Sequence, residues 1–197
     1  MSMSSENPQI DWPALVRLSF SEPEAGFRAV QALGIPVVAR WMMVALAVVL
    51  GVVLAYLLPA LAGQTEGTFQ PFPFAMIQLG FNVLAIWLLA NVGRMFGGTG
   101  GLADAVLLVG WLQLLMVGLQ AVQVVVMLII PPLGAMVLVL AIVAFFWMFS
   151  GFTCALHGFE SRLMVLLGAF GTLFAVTFVI TFVLVILGIP IPGLEDA

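Results

Sequence analysis

The sequence predicts an all-α integral membrane protein, a compact bundle of five transmembrane helices with a short amphipathic N-terminal segment. Three observations carry this prediction: the composition, five long uncharged stretches and the positions of the arginines. Of 197 residues, 64% are hydrophobic and 7% are charged, whereas soluble domains are about 25% charged. So few charges do not cover the surface of a soluble fold of this length.

Residues 1–36 are predicted to be a cytoplasmic, interfacial segment of two amphipathic helices. Asp11 before Trp12-Pro13 is typical of a helix start, and Ser21-Glu22-Pro23-Glu24 is typical of a capping box. Apolar residues recur behind both starts at helical spacing, namely Leu15, Val16, Phe20, Phe27, Val30 and Leu33. The alternative is a partly ordered tail. The segment lacks the pattern of a secretory signal, so we expect it to be retained.

The membrane domain is predicted to cover 37–190, followed by a short tail, 191–197. Crossing the hydrocarbon takes about 20 helical residues, and lipid offers no hydrogen bonds to an unpaired backbone, so spans must be helical. We expect Pro59 to close the first span and Pro131-Pro132 to separate the third from the fourth. The predicted spans are about 41–58, 72–92, 105–130, 133–156 and 163–189.

The arginines predict the orientation. With five spans, all five arginines lie on one side of the membrane, and a count of four or six spans breaks this agreement. Because cytoplasmic loops are enriched in basic residues, the N-terminus is expected in the cytoplasm and the C-terminus outside. The loop with Glu66 and the tail with Glu195-Asp196 then lie outside. The arginines are Arg17, Arg28, Arg40, Arg94 and Arg162.

Ionisable groups lie at the ends of the predicted spans and not within them. Such groups inside a bilayer usually mark an ion or substrate pathway, so their position argues against a proton-coupled transporter. It favours a candidate interaction patch on the cytoplasmic face, formed by Arg94, Asp104, His157, Glu160 and Arg162.

A glycine-rich loop, 97–101, connects the second and third spans. Glycine-rich loops before helices can bind phosphate, but this loop lacks the Gly-Lys-Ser/Thr ending of that motif. We therefore interpret it as a structural turn, with Asp104 as a candidate cap of the third span. Contact of Arg94 with a lipid headgroup is the alternative.

Amide side chains inside the second and third spans form another candidate site. Gln78 and Asn82 are four residues apart, and Gln113 and Gln120 are seven apart, so each pair shares a helix face. Such amides can hold helices together by hydrogen bonds. The alternative is an intramembrane polar groove for a lipid headgroup or small solute, formed by Gln78, Asn82, Gln113, Gln120 and Gln123.

Residues that could carry catalysis are few. Ser150, His157 and Glu160 share one helix end, but no nucleophile elbow or oxyanion-hole motif accompanies them. His157 with Glu160 supplies two metal ligands, and the single cysteine, Cys154, excludes a cysteine cluster. We expect no enzyme activity, no cofactor and no metal. The net charge of −4 and the absence of lysine predict no nucleic-acid partner.

From Ser21 to Gly188 the chain resembles the Yip family, membrane proteins with a Ypt/Rab-GTPase-interacting protein domain, and in particular its small bacterial members. The resemblance rests on these segments: Glu22-Pro23-Glu24-Ala25-Gly26-Phe27, Ile35-Pro36, Phe96-Gly97-Gly98-Thr99-Gly100-Gly101, Pro131-Pro132 and Leu156-His157-Gly158-Phe159-Glu160.

The resemblance implies a five-helix scaffold or adaptor of the bacterial inner membrane, without known catalysis, that binds a membrane protein or lipid at its cytoplasmic face. Similar eukaryotic proteins associate with prenylated small GTPases and with one another. Because they carry a longer cytosolic N-terminal region, we expect no small-GTPase partner here. We expect membrane lipids and either a membrane-protein partner or self-association. The alternative function is a small transporter or lipid-translocating protein that uses the amide groove.

Overall fold

A computed structural model describes residues 10–61 and 70–188. Within these ranges the protein is all-helical and has no strand. Five helices, α3 to α7, are long and apolar enough to cross a membrane, which confirms this part of the prediction. The helices are α1 (Trp12–Ser21), α2 (Pro23–Ala32), α3 (Val37–Leu61), α4 (Pro71–Met95), α5 (Leu102–Ile129), α6 (Pro131–His157) and α7 (Arg162–Ile186).

Prolines occupy two different positions in the long helices. Pro59 does not close the first span as predicted but lies inside α3, which continues to Leu61. Pro59 has no backbone N–H, so α3 loses one helical hydrogen bond there. The residues after Pro59, up to Leu61, nevertheless keep their helical conformation. Pro131 and Pro132 open α6 directly after α5, because the first helical residues need no N–H partner. The predicted outer loop with Glu66 and the tail 191–197 lie outside the described residues.

The helix caps differ from the predicted ones at two of three positions. Asp11 caps α1 as predicted, and its Oδ1 accepts from the Ala14 N–H at 3.1 Å. Ser21, however, is the last residue of α1, so Glu22 takes the cap position of α2 without a side-chain hydrogen bond. Gly101 caps α5, which leaves Asp104 in the first turn. Glu24 and Asp104 instead bind arginines on other helices.

Helix α5 lies at the centre of the bundle and packs against α3, α4 and α6, while α7 packs against α6. The turns 96–101 and 158–161 lie together, since the Thr99 N–H donates to the His157 carbonyl at 3.3 Å. We call this end of the bundle the His157 end. All residues 105–112 of α5 are buried, so other helices cover it on every side. Burial is therefore most continuous in the part of α5 next to the His157 end.

Helices α1 and α2 form a hairpin that packs against α5 and α6. Phe27 of α2 is fully buried, and its ring stacks on Phe152 of α6 with centroids 5.5 Å apart. Pro23 packs against Gly151 so closely that a methyl group at Gly151 would meet the proline ring. The apolar face of α2 is therefore buried against protein, whereas Val16 on α1 is exposed.

Candidate functional site

His157 is a buried polar residue of the His157 end, and it is 2% exposed. The ring Nδ1 accepts from the Gly100 N–H at 3.2 Å, and Nε2 lies 3.0 Å from the Leu89 carbonyl oxygen. Because an N–H only donates and a carbonyl only accepts, these partners assign a neutral ring with its proton on Nε2. The ring thus joins the end of α6 to α4 and to the α4–α5 turn.

Three glycines allow this close approach. A methyl group at Gly93, Gly98 or Gly100 would overlap atoms of the His157 ring. Phe159 stacks on the same ring with centroids 5.3 Å apart. The glycine-rich loop is therefore a structural turn built around a histidine, and we call this arrangement the His157 cage. The sequence showed the glycines but did not indicate that all three face His157.

An ion pair fastens α3 to the start of α5. Arg40 Nη1 lies 2.8 Å from Asp104 Oδ1 and also donates to the Ala103 carbonyl at 2.8 Å. Its Nε donates to the Ile35 carbonyl at 2.8 Å. The Arg40 side chain is 13% exposed and the Asp104 side chain is 40% exposed, so this pair is partly buried and solvent screens it less than a fully exposed pair. Sequence reasoning used Arg40 for orientation and missed this contact.

A second ion pair fastens the hairpin to α7. Arg162 Nε lies 3.0 Å from Glu24 Oε1, and the guanidinium carbon lies 4.4 Å from the centroid of the Trp147 ring. This position suits both the charge and the flat guanidinium of arginine. Glu24 is a site residue that sequence reasoning assigned to a helix cap instead.

Two tryptophans hold the turn of the hairpin. Trp147 of α6 donates its indole N–H to the Phe20 carbonyl at 2.9 Å. Trp111 of α5 donates to Ser19 Oγ at 3.0 Å, and that hydroxyl donates to the Leu15 carbonyl at 2.9 Å. Polar groups at the end of α1 are thereby paired with the bundle.

The predicted interaction patch divides into two kinds of residue. All five of its members lie at the His157 end, but His157, Asp104 and Arg162 are bonded between elements. Arg94 and Glu160 are exposed. Arg94 donates from Nε to the Gly100 carbonyl at 3.1 Å, which keeps its charged group beside the His157 cage.

The Ser150, His157 and Glu160 set is not joined by hydrogen bonds. Ser150 Oγ donates to the Trp147 carbonyl at 3.1 Å. Both nitrogens of His157 bond to backbone groups of other helices and turns. In the described ranges, the structure thus brings no base to the serine hydroxyl. The same ranges contain no group of three or more His, Cys, Asp or Glu side chains that could hold a metal ion.

Three of the five predicted groove residues line one groove. Gln113 Nε2 donates to Asn82 Oδ1 at 2.8 Å, and Asn82 Nδ2 donates to the Gln78 carbonyl at 2.9 Å. The groove has a volume of about 400 Å³ and runs along α4. Its other lining residues are apolar: Phe74, Ile77, Phe81 and Ala85.

The remaining two amides bond elsewhere. Gln120 Nε2 donates to the Gly51 carbonyl of α3 at 3.3 Å, and Gln123 Nε2 donates to the Gly134 carbonyl of α6 at 3.5 Å. Each holds α5 to a neighbouring helix. Both uses of buried amides, joining helices and lining a groove, therefore occur in this bundle.

Comparison with protein-family models, with curated proteins and with solved structures finds no match.

Proposed function

We propose that this chain is a non-enzymatic, multi-pass membrane scaffold or adaptor whose His157 end faces the cytoplasm and binds a membrane-protein partner. The observation that carries the proposal is a fastened end that still exposes charged and apolar side chains. The bonds of the His157 cage, of the two ion pairs and of the hairpin all lie there.

Membrane insertion is supported by the five long apolar helices and by their surfaces. Large apolar side chains are exposed along the whole of α7, from Leu163 to Ile186. Water would penalise so continuous an apolar surface, whereas lipid would not. The orientation is supported by the arginines. Arg40, Arg94 and Arg162 lie at the His157 end, and basic residues mark the cytoplasmic side.

The surface we assign to binding is the exposed rim, defined as Arg94, Met95, Phe96 and Glu160. Met95 is 83% exposed and Phe96 is 71% exposed. Methionine, aromatic residues and arginine are enriched in protein interfaces. The turn that follows Phe96 is held by the His157 cage. The backbone next to the rim is therefore already ordered, and a partner loses little conformational entropy in binding it.

The resemblance to small bacterial Yip-family members supports the same proposal, since it implies an adaptor of the inner membrane. A small transporter or lipid-translocating protein is the second candidate, and the groove beside Gln78, Asn82 and Gln113 favours it. That candidate predicts lipid or solute movement in proteoliposomes that depends on Gln113. Absence of movement for every lipid and solute class tested would contradict it.

Co-purification in native-lipid particles tests the adaptor proposal. A variant with Arg94→Ala, Phe96→Ala and Glu160→Ala removes most of the exposed rim. It leaves the His157 hydrogen bonds and both ion pairs in place and loses the bond from Arg94 to the Gly100 carbonyl. We expect it to lose stoichiometric partner proteins found with the unchanged chain. Phe178→Ala is the matched control, because Phe178 is an exposed aromatic residue of α7 far from the rim in sequence. Equal recovery by both variants, or no recurrent partner at all, would overturn the proposal.

A further inference from the structure

The amide network in the groove has a direction. A backbone carbonyl only accepts, so Asn82 must point Nδ2 at the Gln78 carbonyl and Oδ1 at Gln113. Gln113 must then point Nε2 at Asn82. Its Oε1 is left as an acceptor, and it accepts no hydrogen bond from the described residues. The network therefore ends on an oxygen without a donor.

The side-chain oxygen of Gln78, which lines the same groove, also lacks a hydrogen-bond donor in the described part of the chain. Gln78 Oε1 is buried and has no hydrogen-bond partner among the described residues. Two glutamines that line the groove thus each have an oxygen without a donor, while the apolar residues of the groove supply none. An unpaired amide oxygen in an apolar environment is destabilising, so a donor that reaches it is bound favourably.

The groove lies near the middle of two candidate spans. Asn82 is about 16 Å along α4 from Pro71, and Gln113 is about 16 Å along α5 from Leu102, at a rise of about 1.5 Å per residue. At that depth in a bilayer, bulk water does not supply the missing donor. A molecule dissolved in the membrane can supply it.

We propose that the groove binds a single membrane-soluble molecule that carries a hydroxyl group among apolar atoms, with the hydroxyl donating to Gln113 Oε1. The volume of about 400 Å³ is within the range of small-molecule sites. Phe74, Ile77 and Phe81 would contact its apolar part. The ester region of an ordinary phospholipid offers only acceptors, so the groove should discriminate against it. This inference is independent of the adaptor proposal, because the groove and the exposed rim share no residue.

Competition for photolabelling tests the chemistry of the ligand. The purified full-length protein in lipid nanodiscs is labelled with a photoactivatable diacylglycerol, and labelled peptides are mapped by mass spectrometry. We expect label within 74–85, displaced by dioleoylglycerol about tenfold better than by its acetylated form, since one hydrogen bond separates the two ligands. Equal displacement by both forms would overturn the hydroxyl assignment. Absence of label from 74–85 would overturn the site.

Two variants test the geometry. Ala85→Phe fills the groove from an exposed position and leaves the amide network unchanged. Gln113→Leu removes the acceptor. Both should reduce labelling of 74–85 about tenfold, whereas Gln123→Leu, an amide of the same helix that bonds to α6, should not. Unchanged labelling of the folded Ala85→Phe variant would contradict the proposal, even where Gln113→Leu fails to fold.

Discussion

At the scale of single residues, His157 shows how a polar side chain becomes part of an apolar helical core. Its two ring nitrogens bond to groups 57 and 68 residues away in sequence. Each bond needs a backbone group that no side-chain motif identifies. The sequence predicted that His157 lies at a helix end. It did not predict the hydrogen-bond partners of His157, because these depend on how α4 and α6 pack.

Gly93 and Gly80 offer a matched test of the His157 cage, because both lie in α4. Gly93→Ala should destabilise the protein by about 1–3 kcal/mol, since the added methyl group overlaps the buried imidazole. Gly80→Ala meets nothing within 4 Å, so alanine's higher helix propensity should leave stability equal or slightly higher. Thermal unfolding in detergent measures both. A Gly93→Ala variant as stable as Gly80→Ala would contradict the cage.

The polar side chains of the groove were predicted in part. Spacing of four residues placed Gln78 and Asn82 on one helix face, and both line the groove. Spacing of seven placed Gln113 with Gln120, yet Gln120 bonds to α3 and lies outside the groove lining. Helical periodicity predicts which residues share a face of one helix. It does not predict which neighbouring helix each of them contacts, because that depends on packing.

At the scale of helices, apolar length was enough to identify all five long ones. The reason is physical, because an apolar stretch of that length satisfies its backbone in lipid only as a helix. Helix ends were less predictable. Ser21 and Glu24 match a capping box, but Glu24 binds Arg162 and Ser21 stays in α1. A contact across 138 residues competes there with the local motif.

The docked hairpin predicts a specific effect of Trp147. Trp147→Phe removes the indole donor to Phe20 and weakens the stacking of Arg162, so the hairpin should detach more often. We expect faster cleavage between α1 and α2 in limited proteolysis. Trp87→Phe is the control, since Trp87 is an exposed tryptophan of α4, which does not belong to the hairpin contact. Identical cleavage rates in the two variants would show that Trp147 does not hold the hairpin.

At the scale of the whole molecule, burial is unevenly distributed. Residues 105–112 of α5 are buried without interruption, whereas most of the large apolar residues from Val122 to Val143 are exposed. A fastened, charged end and a lipid-compatible remainder are consistent with the membrane adaptor that we propose. The composition predicted the lipid-compatible remainder. It did not predict the fastened end, because that end depends on ion pairs between residues far apart in sequence.

The most direct test of the proposed arrangement is the accessibility of single cysteines in intact cells. In a Cys154→Ala background, Glu160→Cys reports the His157 end and Ile130→Cys reports the α5–α6 turn. A membrane-impermeant maleimide should label Ile130→Cys in intact cells and Glu160→Cys only after permeabilisation. Labelling of Glu160→Cys in intact cells would contradict the cytoplasmic placement of the His157 end, and labelling of both would contradict a membrane-spanning bundle.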